Sequence, residues 1–188
     1  MVVESSTDEL EHGTPAPDFE LRGTDDETYS LSDFAEYDAL LVVFTCNHCP
    51  YAKSKFETLN DIAADYEEVA VVGINPNDAE EYPDDSFDRM RELVADGTVA
   101  YDAYLRDGSQ AVAEAYGASC TPDPFLFDGS DGEFTLAYHG RLDDAQSPDA
   151  EPSGEPGFEM RQAIDAVLAG EEVAVEEIPS RGCSIKWK

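Results

Sequence analysis

Leu40-Leu41-Val42-Val43-Phe44-Thr45-Cys46-Asn47-His48-Cys49-Pro50 is the stretch on which the reading of this chain turns. It opens as a short apolar run without period-2 alternation, which predicts a strand buried on both faces. It closes on two cysteines separated by two residues and followed by a proline. Proline suits the first turn of a helix, where the N–H it lacks has no intrahelical partner anyway. Phe56, Leu59, Ile62, Ala63 and Tyr66 then recur at the three- and four-residue spacing of one buried helical face. Val69-Ala70-Val71-Val72-Gly73-Ile74 is a second apolar strand. Strand, helix and strand within about 35 residues make a βαβ unit.

On the N-terminal side, Pro15 to Leu21 is extended, Asp25-Asp26-Glu27 is a turn, and Thr28-Tyr29-Ser30-Leu31 returns as the second strand of a hairpin. On the C-terminal side, Phe87, Met90, Leu93 and Val94 mark a helix, and Val99 to Leu105 is extended. Ser109 to Tyr116 is a short helix with Ser109 as N-cap and Gly117 as its stop. Phe125-Leu126-Phe127 and Phe134 to His139 are strands joined by a turn over Gly129 to Gly132. A Pro- and Asp-rich loop spans 143–157, and an amphipathic helix spans Phe158 to Leu168. The expected organisation is a flexible N-terminus over 1–12, one α/β domain over 13–170, and a tail over 171–188 packed on or near it.

The chain's 188 residues suit a single domain. Forty-three Asp and Glu against eleven Lys and Arg give a formal charge of −32. Such a surface repels nucleic-acid phosphates and anionic lipids, so neither nucleic acid nor membrane is an expected partner. The carboxylates are spread along the chain and Lys is nearly absent. This pattern resembles proteins of salt-in halophiles, where molar salt shortens the Debye length to about 3 Å. No apolar run is long enough to span a membrane. Met1 to Glu11 is acidic and polar, unlike a secretory signal, and the expected location is the cytoplasm. In a reducing compartment a close cysteine pair is more often catalytic or metal-binding than structural.

Cys46-x-x-Cys49 stands where a buried strand meets a helix, the end of a sheet at which α/β proteins place their sites. A helix N-terminus favours an anion, so the expectation is a Cys46 thiol of lowered pKa, with Cys49 one turn further in and less exposed. Cys46 then attacks a disulfide and Cys49 resolves the mixed disulfide. His48, as an imidazolium, tunes the Cys46 thiolate. The acidic surface opposes both effects, which predicts a Cys46 pKa that falls as KCl rises.

Thr121-Pro122 precedes the strand at Phe125. Together with Cys46-Asn47-His48-Cys49 it resembles the thioredoxin superfamily: a central mixed sheet flanked by helices, here with an N-terminal β-hairpin extension and a C-terminal tail. The resemblance implies a cis Pro122 lying against the cysteine pair and a Thr121 backbone that faces substrate. Gly13-Thr14-Pro15-Ala16-Pro17-Asp18-Phe19, Tyr29-Ser30-Leu31-Ser32-Asp33-Phe34 and the ending Gly182-Cys183-Ser184-Ile185-Lys186-Trp187-Lys188 narrow it to the peroxiredoxin-like branch, AhpC/TSA and TlpA-like.

The resemblance implies a thiol–disulfide oxidoreductase acting on a disulfide-bearing protein or a small thiol or peroxide, recharged by an upstream thiol reductant, with no cofactor. Peroxide reduction is the second reading. Cys49-Pro50 resembles a peroxidatic Cys-Pro step, but Cys46 occupies the place of the expected Thr, and Asp123-Pro124 replaces the Arg-bearing loop, with Arg141 as a substitute from a neighbouring strand. Thr45 replaces the Trp that precedes the first cysteine in thioredoxin. Cys120 and Cys183 are candidate accessory thiols, relaying or resolving; for Cys183 the alternative is tail anchoring, with Trp187 packed into a groove. From a different class, Cys46, Cys49, Cys120 and His48 make a soft-metal set for copper(I) or zinc.

Overall fold

Every side chain of the first buried strand, β4 (Ala39–Phe44), is sealed from solvent. Leu40, Val42 and Phe44 face one apolar layer, with Phe34, Tyr116 and Phe125; Ala39, Leu41 and Val43 face the other, with Leu59, Ile62, Met160 and Ile164. Both faces of the pleat are therefore core, which is why the run shows no alternation. The computed structural model describes residues 2–7 and 9–188.

β4 pairs in parallel with β5 (Val69–Asn75), and β5 in parallel with β6 (Ala103–Arg106). The hairpin β2 (Glu20–Gly23) and β3 (Thr28–Ser30) joins antiparallel at the β6 edge. On the other side, β8 (Asp123–Asp128) and β9 (Thr135–His139) add antiparallel strands. Among the described residues the sheet order is β3-β2-β6-β5-β4-β8-β9. α2 (Phe56–Asp65) and α5 (Phe158–Leu168) bury Leu59, Ile62, Met160 and Ile164 beneath it; α4 (Ala111–Tyr116) packs Val112, Ala113 and Tyr116 on the opposite layer. α3 (Phe87–Ala95) contributes Met90, which packs beside the cysteines. This is the expected mixed sheet flanked by helices. No helix of the described residues is long and apolar enough to cross a membrane.

Three local readings are corrected. The helix after Cys49 is broken: α1 (Pro50–Lys53) stops at Ser54, and α2 starts at Phe56. The N-cap position of α4 is Gln110, in a left-handed conformation, one residue after the expected Ser109, whose hydroxyl still accepts from the Ala111 N–H at 3.3 Å. The Asp107 carboxylate accepts from the Ala113 N–H at 2.9 Å, and a charge satisfies a helix terminus better than a hydroxyl does.

The third correction concerns both chain ends. Met1 and Asp8 lie outside the described residues, but Val3–Ser5 of the stretch expected to be flexible forms strand β1. It pairs with β10 (Arg181–Ser184) of the tail, which in turn pairs with β7 (Cys120–Thr121), making a small second sheet in the order β1-β10-β7. Exposed strands satisfy their N–H and C=O groups by finding each other, and Ser6 N–H to Ser180 O (2.9 Å) extends the pairing.

Candidate active site

The peptide bond Thr121–Pro122 is cis and brings Thr121 against the cysteine pair. Thr121 Oγ1 lies 3.2 Å from Cys46 Sγ, and Cys49 Sγ lies 3.6 Å from Thr121 O. The expected cysteines, cis-proline loop and strand end are thus one site.

The sulfurs are connected differently from the expectation. Cys49 is joined to Cys183 in a disulfide, and Cys46 and Cys120 are free thiols. Cys46 and Cys49 are both fully buried, which removes the predicted contrast in exposure. The cover is β10. Cys183 stands opposite Thr121 in antiparallel register, and Ser184 opposite Cys120. Trp187, expected to anchor the tail, stays 43% exposed. The anchoring falls instead to the buried Ile185 and to hydrogen bonds: Ser180 Oγ donates to Pro122 O (2.7 Å), Ile185 N–H to Ser119 O (3.0 Å), and Lys186 N–H to Asn77 Oδ1 (2.9 Å).

The electrostatics of Cys46 also reverse the expectation. Its pKa is pushed up to about 12, first by burial and then by the neighbouring Asp85 carboxylate. The Thr121 hydroxyl and the backbone N–H groups of Cys49 and His48 oppose this and lose. Cys49 is the N-cap of α1, so Cys46 lies three residues ahead of the cap and outside the helix's first turn. The macrodipole, which fades within that turn, does not reach it strongly. The charge that matters is one buried carboxylate rather than the acidic surface, and salt screens buried charges poorly. That setting gives salt little leverage on Cys46 and argues against the expected fall of its pKa with KCl.

The sign for pH is direct. The folded value lies above the ordinary one, so burial favours the neutral thiol. That contribution to stability is complete below the unfolded value of about 8.5 and is lost as pH rises towards 12. In the disulfide-linked protein, Cys46 is expected to resist iodoacetamide from pH 7 to 9. Site-resolved mass spectrometry checks this; ready labelling of Cys46 at pH 7 would contradict the burial argument.

Asp85 is the residue that sequence reading missed. It is the last residue of a short 3₁₀ turn, Pro83–Asp85, and is completely buried. Its carboxylate meets His48 Nδ1 (2.6 Å) and accepts from Asn47 N–H (2.6 Å), Asn77 Nδ2 (2.7 Å) and Asn75 Nδ2 (3.4 Å). His48 stacks on Tyr82 at 5.5 Å, and Tyr104 O–H donates to Asn47 Oδ1 at 2.7 Å. His48 is thus fixed by a carboxylate partner and an aromatic face. Two asparagines closing a buried strand, Asn75 and Asn77, were the available hint, since buried amides need partners.

The soft-metal set is not assembled. Cys49 is spent on Cys183, and Cys120 Sγ faces Pro122 O (3.7 Å) and Ser180 O (3.9 Å), its pKa raised by burial and by Asp123. Cys46 Sγ, a His48 nitrogen and an Asp85 oxygen do lie within 4.8 Å of one another. The Asp85 oxygens already serve four protein groups, so the cluster is held together by hydrogen bonds. Arg141 does not substitute for the missing peroxide-activating arginine: both its Nε and Nη2 are held by Glu159 at 2.7 Å. Asp123 pairs with His139 Nε2 at 2.7 Å in a fully buried site, where burial raises the carboxyl pKa.

Comparison with known proteins follows this geometry. The sequence profile described as AhpC/TSA family matches residues 12–133. An uncharacterised conserved protein from Geobacillus kaustophilus superposes with a TM-score of 0.91 at 39% identity, over 100% of this chain and 97% of the other. A hypothetical protein from Sinorhizobium meliloti gives 0.88 at 41% identity, over 98% and 99%. A Chlorobium tepidum protein provisionally described as thiol:disulfide interchange protein DsbE gives 0.62 at 24% identity, over 85% and 99%, a likeness of fold. No match to a protein of curated function was found.

Proposed function

The chain belongs to the AhpC/TSA family, and from that premise we propose that it is a thiol–disulfide oxidoreductase whose redox pair is Cys46 and Cys49. Thiol-based redox chemistry on thiol or disulfide substrates comes with the family and the thioredoxin fold; the assignment of the pair is the proposal.

One observation carries it. An extended strand lies antiparallel on the cis-proline loop and delivers a sulfur, Cys183, into a disulfide with Cys49. That is the covalent arrangement of a mixed disulfide between a CxxC protein and an extended substrate. Cys46 stands beside it as the free thiol that would resolve it, which exchanges the roles expected from the sequence, where Cys46 attacks and Cys49 resolves. In that exchange the Cys46 thiolate attacks Cys49 Sγ, the Cys46–Cys49 bond forms, and the outgoing sulfur leaves as a thiolate. His48, set on Asp85, is the fixed polar group beside the Cys46 end of this reaction.

The second reading, peroxide reduction, is favoured by the same bond seen from the other side. A peroxidatic Cys49 oxidised to a sulfenic acid and resolved by Cys183 would end as Cys49–Cys183. Against it stand Cys46 in place of a hydroxyl three residues before Cys49, and an Arg141 committed to Glu159. Stopped-flow oxidation of the fully reduced protein separates the two. Faster formation of the Cys46–Cys49 disulfide with a model disulfide than with hydrogen peroxide, lost in Cys49→Ser, is expected. Peroxide consumption that outruns disulfide exchange would reverse the order.

A further inference from the structure

We propose that Cys183 is a substrate-facing relay thiol, carried on a strand that swings between the buried cysteine pair and solvent. The proposal rests on the thiol–disulfide reading and adds a third sulfur to it.

Access is the first argument. Cys46 and Cys49 are buried beneath β10, and Cys183 is buried on its inner side, so no external sulfur reaches Cys46 or Cys49 while the strand is docked. Whatever uncovers them lifts Cys183 outward. The strand is built to lift: it hangs on Glu171–Ser180, which has no regular structure, and its outer neighbour β1 is a three-residue strand with every residue exposed. Beyond the disulfide, the tail is held by the hydrogen bonds described above, by Asp78 N–H and Gln110 Nε2 to Lys186 O (2.8 Å each), by Lys188 N–H to Gln110 Oε1 (3.0 Å) and Lys188 Nζ to Gly108 O (2.8 Å), and by the buried Ile185.

Charge is the second argument. Lys and Arg number eleven against 43 acids in the whole chain, yet Arg181 and Lys186 flank Cys183 within three residues, with Lys188 just beyond. Cations beside a thiol favour the thiolate, which is the attacking form. Cys46 has the opposite setting, buried beside Asp85. The exposed end of the relay is therefore equipped to meet a disulfide and the buried end is equipped to finish the exchange.

The steps balance. The Cys183 thiolate attacks a substrate disulfide, forms a mixed disulfide and expels one substrate thiolate. Cys49, as thiolate, attacks Cys183 Sγ, forms Cys49–Cys183 and expels the second; this is the state in the structure. Cys46 then gives up its proton and attacks Cys49 Sγ, forming Cys46–Cys49 and returning Cys183 as a thiolate. The net change is oxidation of Cys46 and Cys49 to a disulfide and reduction of the substrate to two thiols, which take the two protons.

The test uses full-length reduced protein and hydroxyethyl disulfide, a small neutral probe. In Cys49→Ser the relay is cut after its first step, so mass spectrometry is expected to find the mercaptoethanol adduct on Cys183. In Cys183→Ser, oxidation of the remaining pair is expected to slow by about tenfold or more, because the accessible sulfur is gone. An adduct on Cys46 or Cys120, no adduct on Cys183, or an unchanged rate in Cys183→Ser overturns the relay but leaves the exchange reading standing. If wild type itself is not oxidised by the probe, both fall.

Discussion

Replacing Asp85 with alanine is expected to destabilise the disulfide-linked protein by about 3 kcal/mol or more, because several buried donors lose their common acceptor at about 1–3 kcal/mol each. The side chain is completely buried and is the common acceptor for the CxxC loop (Asn47 N–H), the end of β5 (Asn75), the following loop (Asn77) and His48. Each donor left unpaired in the interior costs about 1–3 kcal/mol, and the losses are not additive because the loop can relax. Asn77 also accepts from the Lys186 N–H, so the damage reaches the tail. Asp85→Asn keeps one acceptor oxygen and is expected to lose about 1–2 kcal/mol. Equilibrium urea unfolding with the disulfide intact measures both; a loss below about 1 kcal/mol for Asp85→Ala would show that the cluster re-satisfies itself. A second consequence concerns chemistry. Asp85 helps hold the Cys46 pKa high, so its removal should lower that pKa while burial keeps it above the ordinary value.

The parts of this fold written in local periodicity were legible. β4, α2 and β5 follow from apolar spacing alone, and the hairpin from its Asp25-Asp26-Glu27 turn, where Asp26 indeed takes a positive φ of 73°. The Cys46-x-x-Cys49 motif and Thr121-Pro122 were likewise readable, because each is a short motif with its own mechanism. What escaped depended on partners far away in the chain. β10 is four residues of Arg, Gly, Cys and Ser, a composition that reads as loop; it is a strand because β7, some sixty residues earlier, offers it a hydrogen-bonding edge. Asp85 escaped because it is one acid among 43, and nothing local separates the buried one from those in solvent. The Cys46 pKa was misjudged for the same reason: a helix dipole can be read from sequence, whereas desolvation is a property of the assembled site.

Replacing Gly182 with alanine is expected to make the Cys49–Cys183 disulfide easier to reduce and to open the site. A β-carbon built on Gly182 would collide with the carbonyl oxygen and carbon of Thr121. Flexible side chains can yield to such a contact, but this obstacle is backbone, fixed by the β7–β10 register and followed at once by Pro122. Overpacking of this kind costs about 1–3 kcal/mol, and a clash with main chain belongs at the upper end. The strain exists only while β10 is docked, and docking is what brings Cys183 to Cys49. It should therefore appear in the disulfide equilibrium, as a reduction potential raised by roughly 20–65 mV at 30 mV per 1.4 kcal/mol. Titration against glutathione redox buffers, with the alkylated cysteines located by mass spectrometry, reads this directly. In the reduced variant the same energy shifts β10 towards the lifted state, and Cys46 should alkylate roughly 5- to 150-fold faster than in reduced wild type. A potential and a Cys46 alkylation rate unchanged in Gly182→Ala would mean that the strand tolerates a side chain at its closest approach. The glycine would then have no part in placing Cys183 on Cys49.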